Sequence, residues 1–577
     1  MKRWFKYVKP YLSSFILGPL CMIIELIGDV LMPILLATII NRAEAGTLTV
    51  GMSIGIAGMM LAIIAVMVIG GVGGAYFGAK ASVNFATDLR RDVYAKIQTF
   101  SFSNIDNFST GSLVTRMTND VTQLQNFVNM LLRMALRSPG MMIGGIIMAI
   151  LLKPSLSVVL AVTMPMMIII ISVLIKISFP RFNAMQKKID KLNSTVRENV
   201  TNVRVVKSFV REEYEIEKFS RDNLDLKESG MRAVKIVIWM GPVMNFFMYA
   251  TVMAVIWLGS DIVLSGDMLI GDLSAFITYT TQILSSLMMI TMLLMMASRA
   301  LASAKRICEV LDEKVDLTDT NAKFPEETVK NGEVEFKDVS FRYHKHSEER
   351  VLDGINLKIE AGSTVGIIGS TGCGKTTLVS MIPRLYDSDA GEILIDGINV
   401  KDYSLVNLRD GVGIVLQKNL LFSGTIAENL RWGDGNATDE DIRVAAEHSA
   451  ADRFISTFKE GYDTLLDKGG TNLSGGQKQR VCIARALVKR PKILILDDST
   501  SAVDTATERQ IQQALSESHS NCTKIIIAQR INSVKNADMI VVMNDGKITG
   551  VGTHDELLSG NAEYSEIYYS QMDKKEA

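Results

Sequence analysis

Two short stretches, VGIIGSTGCGKTT (365–377) and ILILDDST (493–500), hold the residue types through which this chain can do chemistry. In the first, Gly369 is followed by four residues and then Gly374, Lys375 and Thr376, directly after an apolar strand-like run and ahead of the helix-like LVSMIPRLY. That order is a phosphate-binding loop in its expected setting. Glycines let the backbone wrap close to phosphates, and amide groups and a helix N-terminus supply positive potential. Lys375 is expected to reach the β and γ phosphates and the Thr376 hydroxyl to meet magnesium, with Gly369, Ser370, Thr371, Gly372, Cys373, Gly374 and Thr377 completing the cradle. In the second stretch Asp497 ends an apolar strand. It is the natural second magnesium partner, because a hard cation needs an oxygen anion on a rigid element.

The elements that must position these residues lie in the second half of the chain. From about residue 331 to 577, short Val/Ile-rich strands alternate with helices, the pattern of a soluble α/β domain. The first 300 residues are different. A bilayer core about 30 Å thick takes about 20 helical residues, and long uncharged runs pass that test six times, at roughly 14–40, 52–79, 133–152, 155–175, 236–260 and 273–298. No charged residue occurs between Glu44 and Lys80 or between Asp272 and Arg299. The third run is the least clean, since Arg133 and Arg137 intrude on its start. Residues 301–330 read as a charged connector between the two halves.

The whole chain has 577 residues, 48% of them apolar, with a mean hydropathy of +0.22. A formal net charge of -1 gives no general attraction to nucleic acid. Five cysteines without paired spacing read as reduced thiols. The basic N-terminus is followed by no small-residue cleavage site, so the first apolar run reads as a retained helix. Cations fix the orientation: Lys2, Arg3, Lys6 and Lys9 precede the first run, Lys80 to Arg116 separate the second and third, and a dense series from Lys176 to Lys235 separates the fourth and fifth. Both termini and the α/β domain are therefore expected in the cytosol. The two cytosolic connections are long and helically periodic, which predicts helices running far beyond the membrane.

NLSGGQKQR (472–480), about 100 residues after the phosphate loop and about 20 before the carboxylates, is the signature of ATP-binding cassette proteins. With it, Gln417 in GIVLQKNLLFSGTIAENL resembles the family's Q-loop glutamine, which also approaches the magnesium. Tyr343 in VSFRYHK resembles the aromatic that stacks on adenine, and SAVD (501–504), with Asp504, resembles the D-loop. IDNFSTGSLVTRMTND (105–120) has a close counterpart where the family's first cytosolic loop meets the nucleotide domain. Six spans followed by one cassette is similar to the half-transporter layout of ABC exporters. The resemblance implies ATP and Mg2+ as cofactors, a multi-pass place in a bacterial cell membrane, and a second half-transporter as partner.

It also exposes two departures. The residue after the Walker B aspartate is normally Glu, holding the attacking water, and a His about 30 residues later completes the γ-phosphate environment. Those positions resemble Asp498 and, in IIIAQRINSV (525–534), Gln529. A shorter carboxylate arm withdraws its oxygens by roughly a bond length, and misplacement of about 1 Å can cost on the order of a hundredfold in rate. An amide carries neither proton nor charge. The site is therefore expected to hold nucleotide and hydrolyse it poorly. Ser474, Gly475, Gly476 and Gln477 are intact, and in the family such a signature faces the partner's nucleotide. The pattern resembles one member of a heterodimeric bacterial multidrug exporter; a homodimer would contain two impaired sites.

Cargo is less marked. Glu25 and Asp29 sit four apart on the first span, so either they attract cationic cargo or couple protons, or they pair with Arg133 or Arg137 or lie at the polar rim. Five of the nine residues 288–296 are Met, suited to an adaptable cavity or to ordinary packing. The expected function is ATP-driven efflux of hydrophobic or amphipathic compounds, of the multidrug type. Lipid or peptide export by the same machinery, or a nucleotide-gated channel or regulatory subunit, stand as alternatives. An importer is disfavoured because its spans and cassette are usually separate chains.

Overall fold

The computed structural model describes residues 2–343, 349–499 and 503–576. It divides into two compact units, Met1–Gln98 with Gly111–Asp312, and Thr99–Thr110 with Glu313–Ala577.

The first unit holds six helical stretches long and apolar enough to cross a membrane, Arg3–Glu44, Val50–Gln98, Thr110–Leu152, Pro154–Thr201, Glu212–Leu264 and Ile270–Asp312, the third of them broken by a turn at residues 135–136. Their apolar side chains are largely turned outward. In the most apolar window of Val50–Gln98 none is buried within the unit, and in the last helix only 28% are. Helices bare in this way suit hydrocarbon surroundings, because every backbone group is bonded inside its own segment. The first two helices approach closely along glycines: a Cβ at Gly70 would lie 2.8 Å from the Cys21 carbonyl oxygen. The 48- and 53-residue helices Pro154–Thr201 and Glu212–Leu264 are about 72 and 80 Å long at 1.5 Å per residue, far beyond a 30 Å bilayer core. These are the predicted long extensions, joined by the short helix Val203–Ser208.

Two boundaries differ from the sequence reading. The third span does not begin at residue 133: the helix Val121–Met134 ends there, and a separate helix, Arg137–Leu152, follows a two-residue turn. Arg133 thus belongs to the preceding helix. The sixth helix does not stop near residue 300 but continues to Asp312, since 299–312 contain no Gly or Pro to end it. The first part of the supposed connector is therefore helix.

Of the readings offered for Glu25 and Asp29, pairing is realised. Arg137 Nη2 lies 2.9 Å from Glu25 Oε1 and 3.0 Å from Asp29 Oδ2. Met288, Met292 and Met295 are exposed, and their spacing places them along one stripe of the sixth helix.

In the second unit the main sheet has six strands, in spatial order Lys547–Gly552, Met539–Asn544, Thr364–Gly369, Thr523–Ile527, Ile493–Asp497 and Val412–Val415. All neighbours are parallel except the antiparallel edge strand Lys547–Gly552. The interior strands read as continuous apolar runs, as ILILD does, because both faces are covered. A second, four-stranded antiparallel sheet begins with Val334–Phe341. Residues 99–110 fold with this unit. Ser101 caps the helix Phe102–Asn107, the Asn104 amide donates to Glu313 Oε1 at 3.0 Å, and the Tyr386 hydroxyl donates to Asp106 Oδ2 at 2.9 Å.

Candidate functional site

Parallel strands end together, and the residues just past their C-terminal ends form the crevice of such a sheet. Asp497 pairs with Ile527, and Ile527 with Ile367, so one rung of the sheet aligns the strand carrying Asp497 with the strand that enters the phosphate loop. Beyond that rung lies a cleft of about 360 Å³, lined by Tyr343, Gly374, Lys375, Thr376, Gln417, Asp497, Asp498 and Gln529 among others.

The loop's conformation explains its glycines. Gly374 has φ +98°, and a Cβ there would lie 2.8 Å from the Val351 carbonyl oxygen; at Gly369, with φ +153°, a Cβ would meet the Met543 carbonyl oxygen at 2.1 Å. Lys375 opens the helix Lys375–Ser380, and its ammonium is held by the carbonyls of Gly369 at 2.9 Å and Ser370 at 2.7 Å. These neutral acceptors leave its charge available to an anion in the cleft. Lys375→Ala should weaken MgATP binding about ten- to a hundredfold, the worth of a charge-assisted contact. Nucleotide titration of the purified protein checks this, and unchanged affinity would refute the loop's assignment.

The Thr376 hydroxyl donates to Asp497 Oδ2 at 2.9 Å, so two hard oxygen donors converge beside Lys375. Burial pushes the Asp497 carboxyl above its ordinary range, while the Thr376 hydroxyl and Lys375 pull it back. A buried carboxylate beside a hydroxyl fits magnesium in donor type. Among the described residues no group of three or more His, Cys, Asp or Glu side chains is placed to hold a metal, so phosphates and water would supply the other positions.

Asp498 follows the strand with φ +48°, a left-handed conformation that Asp tolerates better than most residues. This turn aims its carboxylate back across the cleft, where Gln529 Nε2 donates to Oδ2 at 3.0 Å. Gln417 also hydrogen-bonds it, and burial raises its pKa against the pull of Gln417, Arg530 and Lys375. The two residues singled out in the sequence are therefore in direct contact, the Asp498 carboxylate accepting from the Gln529 amide.

Tyr343 is 43% exposed, its hydroxyl paired with that of Thr377 at 2.9 Å, and Phe341 and Tyr386 meet its ring edge-on. An open aromatic face with fixed edges is suited to stacking a base. Tyr386 was missed from the sequence, where a lone Tyr before DSDAG carries no pattern. Arg530, next to Gln529, was likewise not singled out.

The signature residues are not among those lining the cleft. Ser474 and Gly475 are exposed at the start of the helix Gly475–Val488, where the Ser474 hydroxyl accepts from the Gln477 N–H and the Ser474 N–H donates to Gln477 Oε1 at 2.9 Å. The box fixes the turn and presents the amides of Gly475 and Gly476 outward at a helix N-terminus. Asp504 caps the helix Thr505–Ser518 through the Thr507 N–H at 2.9 Å, which holds its carboxyl below the usual range. Ser501 and Ala502 of the same motif lie outside the described residues.

The sequence model of the ABC transporter transmembrane region matches residues 15–287, and that of the ABC transporter matches residues 352–501. An uncharacterized ABC transporter ATP-binding protein of Bacillus subtilis, YfiB, is 37% identical over alignments covering 100% of this chain and 99% of that one. The ATP-dependent lipid A-core flippase of Desulfotalea psychrophila is 35% identical, covering 84% of each. Among solved structures, a bacterial Atm1-family ABC exporter with ATP bound is similar with a TM-score of 0.77 and 25% identity, covering 98% of both chains.

Proposed function

The chain belongs to the ABC transporters, as an exporter with a membrane region followed by one ATP-binding cassette, and on that premise we propose that it is the hydrolysis-impaired subunit of a heterodimer that expels hydrophobic or amphipathic compounds. The observation that carries the reading is the 3.0 Å bond from Gln529 to Asp498, which occupies the carboxylate where a water-activating base would stand.

The remaining geometry supports the same division of labour. Lys375, Thr376 and Asp497 hold the γ-phosphate end of ATP, with Tyr343 against the adenine. Magnesium, held by Thr376 and Asp497 and approached by Gln417, would polarise the phosphate oxygens. Asp498 cannot swing to a water without giving up Gln529, and Gln529 has no proton to pass on. Ser474 and the amides of Gly475 and Gly476, exposed and away from this cleft, are offered to the phosphates bound by a partner. Both termini and the cassette lie on the cytosolic side, following the basic connections.

Reconstitution tests this. Alone in liposomes, the chain should show little ATP hydrolysis; with a half-transporter carrying Glu and His at the corresponding positions, ATPase and uptake of a fluorescent amphipathic cation into inside-out vesicles should appear together. Brisk, cargo-stimulated hydrolysis by this chain alone would end the proposal. The 35% identity to a protein named as a lipid flippase favours lipid as a second class of cargo. A labelled phospholipid in the same vesicles separates the two.

A further inference from the structure

A second cavity, of about 370 Å³, opens in the cassette unit at the opposite end of the sheet from the nucleotide cleft. Its floor is Lys524, on the strand Thr523–Ile527, paired with Thr364 at the first rung of the sheet, whereas Asp497 pairs with Ile527 at the last. Lys524 is only 4% exposed and lines the cavity. Among the described residues its side chain makes no hydrogen bond or ion pair, while its main-chain N–H donates to the Ser363 carbonyl at 2.9 Å. The carboxylate that acts on it, Asp538, spends its Oδ2 on the Thr364 N–H at 2.8 Å. Burial accordingly lowers the Lys524 pKa.

The stem of Lys524 is buried, while its ammonium still meets the water of the cavity, where an entering anion can pair with it. The opposite wall shows what partner fits. Arg509, Gln513 and Ser516 come from the helix Thr505–Ser518, and Asn536 from the segment after Gln529. Gln513 donates to the exposed Glu517, which does not line the cavity; no Asp or Glu does. Lys524 and Arg509 thus both line a polar cavity that has no Asp or Glu among its lining residues. The Gln512 amide, donating to the Ser533 carbonyl at 3.0 Å, ties the two walls together and keeps the space open.

We propose that this cavity is a second anion site, built for a small phosphate-bearing dianion held between Lys524 and Arg509. Its charge matches the two cations, and its position excludes the phosphate loop as the group's source of binding. A ligand there would brace the helix capped by Asp504 against the segment that follows Gln529.

The test uses the full chain assembled with its partner half-transporter in detergent, with MgADP in excess so that the nucleotide sites are filled. Radiolabelled inorganic phosphate in equilibrium dialysis should show one saturable site per copy of this chain, and phosphate should raise its unfolding temperature. Lys524→Met should weaken that binding about tenfold or more and erase the thermal shift, while Lys524→Arg retains both. If Lys524→Met does not fold, Arg509→Gln, at an exposed position, serves in its place. Displacement by glycerol phosphate would assign the site to phosphate monoesters, and resistance to it would assign the site to free phosphate. No saturable binding by the wild-type chain, or binding untouched by the substitutions, would overturn the proposal.

Discussion

Gly475→Asp should abolish ATP turnover by the assembled exporter while leaving nucleotide bound in this chain's own cleft. Gly475 is the first residue of the 14-residue helix Gly475–Val488 and is exposed beside its cap, Ser474. A carboxylate at a helix N-terminus is favourable for the helix itself, so the fold of the cassette is not what the substitution attacks. The effect falls on the group meant to dock there. A partner's γ-phosphate would meet a like charge in place of two amides, and removing a single preorganised donor to such charge typically costs about a hundred- to a thousandfold in rate. Steady-state ATPase of the proposed heterodimer should therefore fall by at least about a hundredfold, with the affinity of Lys375 and its loop for MgATP unchanged. Full activity in the variant would contradict the cross-chain reading of the signature.

Restoring both departures should do the reverse at the other site. Asp498→Glu combined with Gln529→His lengthens the carboxylate arm and removes the amide that now holds Oδ2 at 3.0 Å. General-base help is worth on the order of a hundred- to ten-thousandfold when well placed, and a placement error of about 1 Å removes about a hundredfold. The left-handed backbone at residue 498, φ +48°, suits Asp better than Glu and takes back part of the gain. An increase of about ten- to a hundredfold is the expected outcome, read in a heterodimer whose partner site has been silenced so that this cleft alone contributes. Asp498→Asn should give no increase. If the double variant is no faster than the parent, the proposal that these two residues slow hydrolysis falls.

How much of this was legible in the sequence follows the range of the interactions involved. Gly369 to Thr377, Asp497 and Ser474 to Gln477 were legible because phosphate loops, strand-end carboxylates and capped helix starts are local: a few consecutive residues fix both conformation and chemistry. The six spans were legible because hydrocarbon imposes a length and a composition on each segment independently. Asp498 and Gln529 were legible as departures, but their mutual bond was not, since it depends on two parallel strands ending at the same rung. Pairing of Glu25 and Asp29 was among the readings offered, but that the partner is Arg137 and not Arg133 depends on how the helices pack around it. Lys524 was invisible for the same reason. In TKIII it reads as an ordinary strand-edge lysine until the helix carrying Arg509 is laid over it.

Tyr386 and Asp106 carry one more consequence. Because residues 99–110 fold with the cassette although the chain on either side of them belongs to the membrane helices, the cassette is discontinuous. A fragment cut at Glu313 leaves behind a piece of its own surface, exposing the ring of Tyr386 where Phe102 had lain 6.0 Å away. The polypeptide crosses between the units three times, at 98/99, 110/111 and 312/313, so a protease that severs the last crossing leaves residues 99–110, still joined to the helices on either side, hydrogen-bonded to the released cassette.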